Sequence, residues 1–210
     1  YQINLAIAGI AVGTVSLPVL AKAFKKRNIK KISDIQNKSF ELSLLLSIPA
    51  SCGLILASNQ IVNALFGYGS FSIKDVEITA IALKFFGYGV PAFALIKILS
   101  NFFFARDNTK IPFYISTFIV ILNILISVSL FSRMGFIIIP IATSISTWVG
   151  VIIYLYLLNY KKSLLLQRQL VLKFIKIMIS AIIMSLTLFL ALENFTSYLD
   201  YTHDYQAIYL

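Results

Sequence analysis

Six long apolar stretches alternate with short polar links along the 210 residues. A helix needs about 20 apolar residues to cross the hydrocarbon core of a bilayer. The stretches at 1–20, 42–66, 78–104, 111–132, 136–158 and 174–192 match that length. They are continuous runs, not the alternating segments of about ten residues that build a membrane β-barrel. The pattern therefore predicts an all-α polytopic membrane protein with six transmembrane helices.

The links carry their charge unevenly. The first holds Lys22, Lys25, Lys26, Arg27, Lys30, Lys31 and Lys38. The third holds Arg106 and Lys110, and the fifth Lys161, Lys162, Arg168, Lys173 and Lys176. The second has only Lys74, the fourth only Arg133, and no Lys or Arg follows Leu192. Basic residues gathered on every second link are the positive-inside signature. Links one, three and five are thus expected in the cytoplasm, with residue 1 and the tail on the periplasmic side.

Turn chemistry agrees with these boundaries. Gly67-Tyr68-Gly69-Ser70 breaks the chain after the second span. Ser72 with Asp75 three residues on is a capping-box variant ahead of the third. Thr109 is the expected N-cap of the fourth span, with Pro112 in its first turn. Met134-Gly135 leaves room only for a tight hairpin, so the fourth and fifth spans are expected to be antiparallel neighbours.

Composition sharpens the class. The chain is 59% hydrophobic and 12% charged, whereas soluble domains run near a quarter charged. A net charge of +10 would point to nucleic acid in a soluble protein. Here the cations flank membrane spans, where anionic lipid and topology account for them, and no nucleic-acid partner is expected. One cysteine, Cys52, and one histidine, His203, exclude a Cys/His metal centre, and no cofactor is expected. The absence of histidine and of paired carboxylates inside any span argues against an intramembrane enzyme. The chain opens on Tyr1-Gln2-Ile3-Asn4-Leu5, with no Met and no basic leader. That layout is not a signal peptide, and it reads as the downstream part of a larger protein.

Four organisational parts are expected: a five-helix unit over 1–160, a cytoplasmic connector over 161–173, a sixth helix over 174–192, and a tail over 193–210. The connector reads equally well as an amphipathic interfacial stretch or as a plain link. The tail reads as periplasmic, with Gln206–Leu210 as the start of a further element.

Lys97 is the foremost candidate for mechanism. It lies nine residues before Arg106, which along a helix is roughly 13 Å inside the span. Intramembrane charges are costly and face a cavity or a partner, although a long side chain can also snorkel to the surface. Ser100 and Asn101, three and four residues on, share its face and extend a polar stripe. Gly87, Gly89 and Pro91 interrupt the same span and predict a kink or hinge. Gly9 and Gly13 form a small-xxx-small face for helix packing. Asn123 and Thr143 are polar groups at membrane depth. They suit an interhelical hydrogen bond, or a weak cation site without a carboxylate.

Two motifs resemble a known family. One is Phe40-Glu41-Leu42-Ser43-Leu44-Leu45-Leu46-Ser47-Ile48-Pro49-Ala50-Ser51-Cys52-Gly53-Leu54, continued by Leu65-Phe66 and Tyr68-Gly69. The other runs Tyr88-Gly89-Val90-Pro91-Ala92-Phe93 through Lys97 to Arg106-Asp107-Asn108-Thr109-Lys110-Ile111-Pro112. Both are similar to the MurJ/MviN flippases of the multidrug/oligosaccharidyl-lipid/polysaccharide exporter superfamily. The resemblance implies part of a MATE-like C-terminal lobe in a bacterial inner membrane, working by alternating access on lipid II. It implies that Lys97 lies on a family lysine. It also implies that a cavity arginine and an N-terminal half would precede Tyr1, and that the last helices would line a groove for the lipid tail. Some members place a cation site in the helices that hold Asn123 and Thr143. Another exporter of the superfamily, or a non-transporting scaffold or split-gene remnant, stays open as an alternative.

Overall fold

The computed structural model describes residues 6–161 and 163–195. The described residues are helical, joined by short turns, with no strand among them. A π-helical turn, Ala6–Ala11, leads into α1 (Val12–Lys25). Then follow α2 (Ile29–Leu56), α3 (Ser58–Phe66), α4 (Ile73–Phe104), α5 (Lys110–Met134), α6 (Ile138–Tyr160) and α7 (Arg168–Phe195). Five helical stretches are long and apolar enough to cross a membrane. One of these, Lys110–Tyr160, folds back at Gly135 into α5 and α6, so six helices among the described residues are long and apolar enough to cross. The fold is an all-α, six-span membrane bundle.

Helix ends follow local chemistry. Lys22 and Lys25 occupy the last turn of α1, where cations complement the helix dipole. Arg27 at φ 50° reverses the chain, and the Asn28 side chain caps α2 by accepting from the Lys31 N–H at 3.0 Å. The capping box at Ser72 and Asp75 forms in full at the start of α4. Thr109 occupies the N-cap position of α5 but makes no capping bond; Asn108 accepts from the Ile111 N–H instead. Gly135 at φ 62° makes the α5–α6 hairpin, a conformation that favours glycine.

Several helix boundaries differ from the sequence expectation. The second span starts at Ile29 rather than 42, because its polar first turns bury Ile32, Gln36, Asn37 and Ser39 against the bundle. It also stops at Leu56, and a separate short helix, α3, carries the chain on to Phe66. At the connector, 163–167 is non-helical and α7 starts at Arg168. The tail beyond 195 lies outside the described residues.

Paired residues give the helix directions. Ser51 meets Gly87 and Phe40 meets Phe102, so α2 and α4 run antiparallel. Ser144 meets Phe85 and Tyr154 meets Phe103, so α4 and α6 run parallel. Asn123 meets Thr143 and Gly150 meets Ile119, so α5 and α6 run antiparallel, as the tight hairpin requires. The main apolar core is assembled between these helices from Leu20, Phe40, Ile98, Leu99, Phe102, Phe103 and Tyr154, with Ile115 and Val151. α5 packs on α6 and leaves a broad apolar face outward, including Phe118, Ile121, Leu125 and Val128.

The packing also gathers the basic links. Arg106 donates to the Ser163 carbonyl at 2.8 Å and stacks 4.5 Å above the Phe24 ring. Gln36 reaches the same Ser163 carbonyl at 3.1 Å. Links one, three and five therefore meet at one end of the bundle, the arrangement that their shared charge predicted. Burial lowers the Arg106 pKa from its usual value, without removing the charge at neutral pH.

Candidate functional site

The middle of α4 is tied by side chains from two neighbouring helices. Proline has no N–H, so Pro91 leaves the carbonyl four residues back, at Gly87, without its helical partner. The Ser51 hydroxyl on α2 donates to that carbonyl at 2.7 Å. On the opposite flank, Ser144 donates to the Phe85 carbonyl at 2.7 Å and the Trp148 indole to the Tyr88 carbonyl at 3.0 Å. In a membrane such bonds replace the water that would otherwise satisfy a freed backbone group. Ser51→Ala is expected to cost about 2 kcal/mol, because it strands a buried carbonyl. Denaturant titration of helicity against the wild type checks this, and an unchanged midpoint would refute it.

The glycines here allow close approach. A Cβ at Gly87 would lie 3.0 Å from Ile55 Cγ1 and 3.5 Å from the Ile55 backbone nitrogen. A Cβ at Gly89 would lie 2.6 Å from Ser144 Oγ and 2.8 Å from the Phe93 ring. α4 runs unbroken from Ile73 to Phe104 with Pro91 inside it. Gly87, Gly89 and Pro91, expected as a hinge, thus form a tightly packed three-helix crossing in this structure. The physical reason is that all three carbonyls around the proline are held by neighbouring side chains.

The polar stripe splits on inspection. Lys97 is exposed on α4, six residues beyond Pro91 and the buried crossing. Ser100 is buried and donates back to the Lys97 carbonyl at 2.9 Å. The Asn101 amide donates to the Gly13 carbonyl of α1 at 2.8 Å. Ser100 and Asn101 therefore spend their donors inside the bundle, and Lys97 alone presents its head group outward. A Cβ at Gly13 would lie 2.9 Å from Asn101 Nδ2, so the bare glycine leaves room for the Asn101 amide against α1. Gly9, buried in the π-turn one step earlier, lies in the same part of the chain. π-turns inside helices recur at functional sites, and this one leads directly into the α1 segment beside Asn101.

Asn123 and Thr143 do come together. The Asn123 amide donates to Thr143 Oγ1 at 2.9 Å, and that hydroxyl donates to the Ile139 carbonyl at 2.8 Å. Among the described residues no cluster of three or more His, Cys, Asp or Glu stands ready for a metal. The pair acts here as a tie between α5 and α6.

Sequence reasoning passed over a serine ladder on α2. Ser39, Ser43, Ser47 and Ser51 repeat every four residues, and all four are buried. Small residues at that spacing let helices approach closely in a membrane. The signal was present in the sequence, but four-residue serine spacing is common in apolar helices. Only its depth in the bundle distinguishes it. Ser51 likewise could be identified as the partner of Gly87 only once the α2–α4 register was known.

The chain was compared with known proteins. A family model described as lipid II flippase MurJ matches residues 1–209. A probable lipid II flippase MurJ of Rickettsia prowazekii is 34% identical over 200 residues, covering 95% of this chain and 39% of the relative. One from Rhizobium tropici is 37% identical over 152 residues, covering 72% of this chain and 28% of the relative. A solved structure of lipid II flippase MurJ in an inward closed conformation superposes with a TM-score of 0.76 at 29% identity. That match covers 91% of this chain and 39% of the solved one. The chain thus spans about two fifths or less of the length of these relatives. With the family model matched over almost every residue, the chain belongs to the MurJ family of lipid II flippases.

Proposed function

We propose that this chain supplies most of one lobe of a lipid II flippase and lends its substrate cavity a cation, Lys97. The carrying observation is the exposed Lys97 between the Pro91 crossing and the basic end of α4, with its neighbours Ser100 and Asn101 turned inward; the other exposed lysine of the span, Lys84, lies on the far side of that crossing. An ammonium group held at membrane depth suits a diphosphate-linked head group, which offers anionic oxygens to a cationic donor. The α2, α4 and α6 helices rock as a unit in alternating access, since the α4 crossing ties them together. The end that gathers links one, three and five faces the cytoplasm, as the positive-inside rule orients it. The Asn123–Thr143 pair serves as a helix tie, because neutral oxygens without a carboxylate hold a cation weakly.

A strain depleted of its own flippase tests this reading. Expressed alone, the chain is expected to leave lipid II untranslocated, because a single lobe encloses half a cavity. Co-expressed with a family member's N-terminal lobe, it is expected to restore translocation. Rescue by the chain alone would defeat the half-cavity argument. Failure of the pair, with both parts present in the membrane, would defeat the flippase reading.

A further inference from the structure

Residues 163–167 leave the end of α6 without helical structure, yet the backbone N–H and carbonyl groups of Ser163, Leu165 and Gln167 are all paired. Gln36, buried completely, donates to the Ser163 carbonyl at 3.1 Å and accepts from the Leu165 N–H at 3.0 Å. Asn37 donates to the Leu165 carbonyl at 2.8 Å and accepts from the Gln167 N–H at 2.9 Å. Ser33 donates to the same Leu165 carbonyl at 2.8 Å. Two adjacent side-chain amides thus pair with the strap much as a neighbouring strand would, each offering one donor and one acceptor. Arg106 closes the other side at Ser163. Beyond the strap, an exposed Lys173–Glu41 ion pair continues the contact at 2.7 Å.

Further along, the grip weakens. α7 runs parallel to α2 and buries Ile177 and Ala181 against Ile48. Past Ala181 no residue of α7 with a described side chain is buried, and Ile182, Ile183, Leu186 and Phe189 are all more than half exposed. Polar anchoring is therefore concentrated at the basic end, and the far half has only loose apolar contact. Side-chain hydrogen bonds fix distance and direction, whereas apolar contact in a lipid environment gives little preference for one helix separation over another.

We propose that Gln36 and Asn37 are positioning residues that clamp the strap and the first turns of α7 to α2, making this end the fixed pivot about which the far half of α7 swings. The clamp sets where α7 stands, and the swing changes the separation of the far halves of α2 and α7. The inference rests on the packing of this chain and holds whether or not the transport reading does.

The full chain in lipid nanodiscs provides the test, with Cys52 replaced by Ser so that labels can be placed. The first readout is amide exchange. The Leu165 and Gln167 N–H groups are expected to be protected although they lie outside any helix. In Gln36→Ala/Asn37→Ala they should exchange about tenfold faster or more. The second readout is the distance between paired spin labels. A pair at Lys38 and Arg168 should give a narrow distribution, and a pair at Asn59 and Ala191 a broad one. The double variant should broaden the first pair, while Glu41→Gln, which removes only the exposed ion pair, should not. If the double variant fails to fold, Asn37→Asp keeps the acceptor for Gln167 and loses the donor to Leu165. It should release the strap partially in both readouts. Equal widths at the two ends of the wild type would overturn the pivot. So would an undisturbed basic-end distance after the strap amides are freed, which would make the clamp a local tie only.

Discussion

Lys97→Gln, placed in this chain joined to a family member's N-terminal lobe, is expected to lower lipid II translocation roughly thirtyfold. That factor corresponds to the loss of one charged hydrogen bond of about 2 kcal/mol. The side chain is exposed and its neighbours are bonded elsewhere, so nothing in the bundle depends on its charge. Expression and melting of the variant should match the parent. Lys97→Arg keeps the cation and should retain most of the activity, while Lys97→Ala should behave like the Gln variant. The comparison separates a charge that binds from a long side chain that merely snorkels to the head groups. Unchanged translocation by Lys97→Gln at equal expression would remove this residue from the cavity.

The second large effect falls on stability. Gly87→Leu is expected to cost about 3 kcal/mol, combining over-packing with loss of the Ser51 bond. The reason is geometric. Already at the Cβ position the new side chain would meet Leu54 Cβ at 3.4 Å and the Ile55 backbone nitrogen at 3.5 Å. Neither is a flexible tip that can swing aside, so α2 itself must move. Moving α2 pulls the Ser51 hydroxyl from the Gly87 carbonyl that Pro91 leaves free. Gly87→Ala should be close to neutral, because a helix-propensity gain of about 1 kcal/mol over glycine offsets the crowding. The size series is read as loss of helicity in a denaturing detergent titration. If Leu is tolerated as well as Ala, the crossing is not close-packed and a hinge at Gly87–Pro91 becomes the better account.

These two residues, ten positions apart on one helix, show what could be read before the fold was known. Lys97 stood out because a charge inside an apolar run is expensive and therefore conspicuous. Gly87 and Pro91 stood out as well, as a hinge, and the structure packs them between two neighbouring helices. Glycine and proline indicate local freedom, and a sequence does not show the neighbours that take that freedom away. Ser51 and Trp148 fall on other helices, 36 and 60 residues from their carbonyl partners. Asn101 looked like an extension of the Lys97 stripe because helical periodicity places the two together. Their shared face is broad enough that one side chain turns to α1 while the other stays outward.

By itself, the sequence determined the class, the number of crossings and the links that share an end. Each of those follows from local quantities: apolar run length against bilayer thickness, and the placement of Lys and Arg. The two motifs added the family. Tertiary structure alone decided how the buried polar groups are spent. Ser51, Asn101, Gln36 and Asn37 each complete a backbone group on a distant segment. A hydrogen bond requires two partners within about 3 Å. Run length and periodicity describe one helix at a time, and which helices stand that close is settled only when they pack.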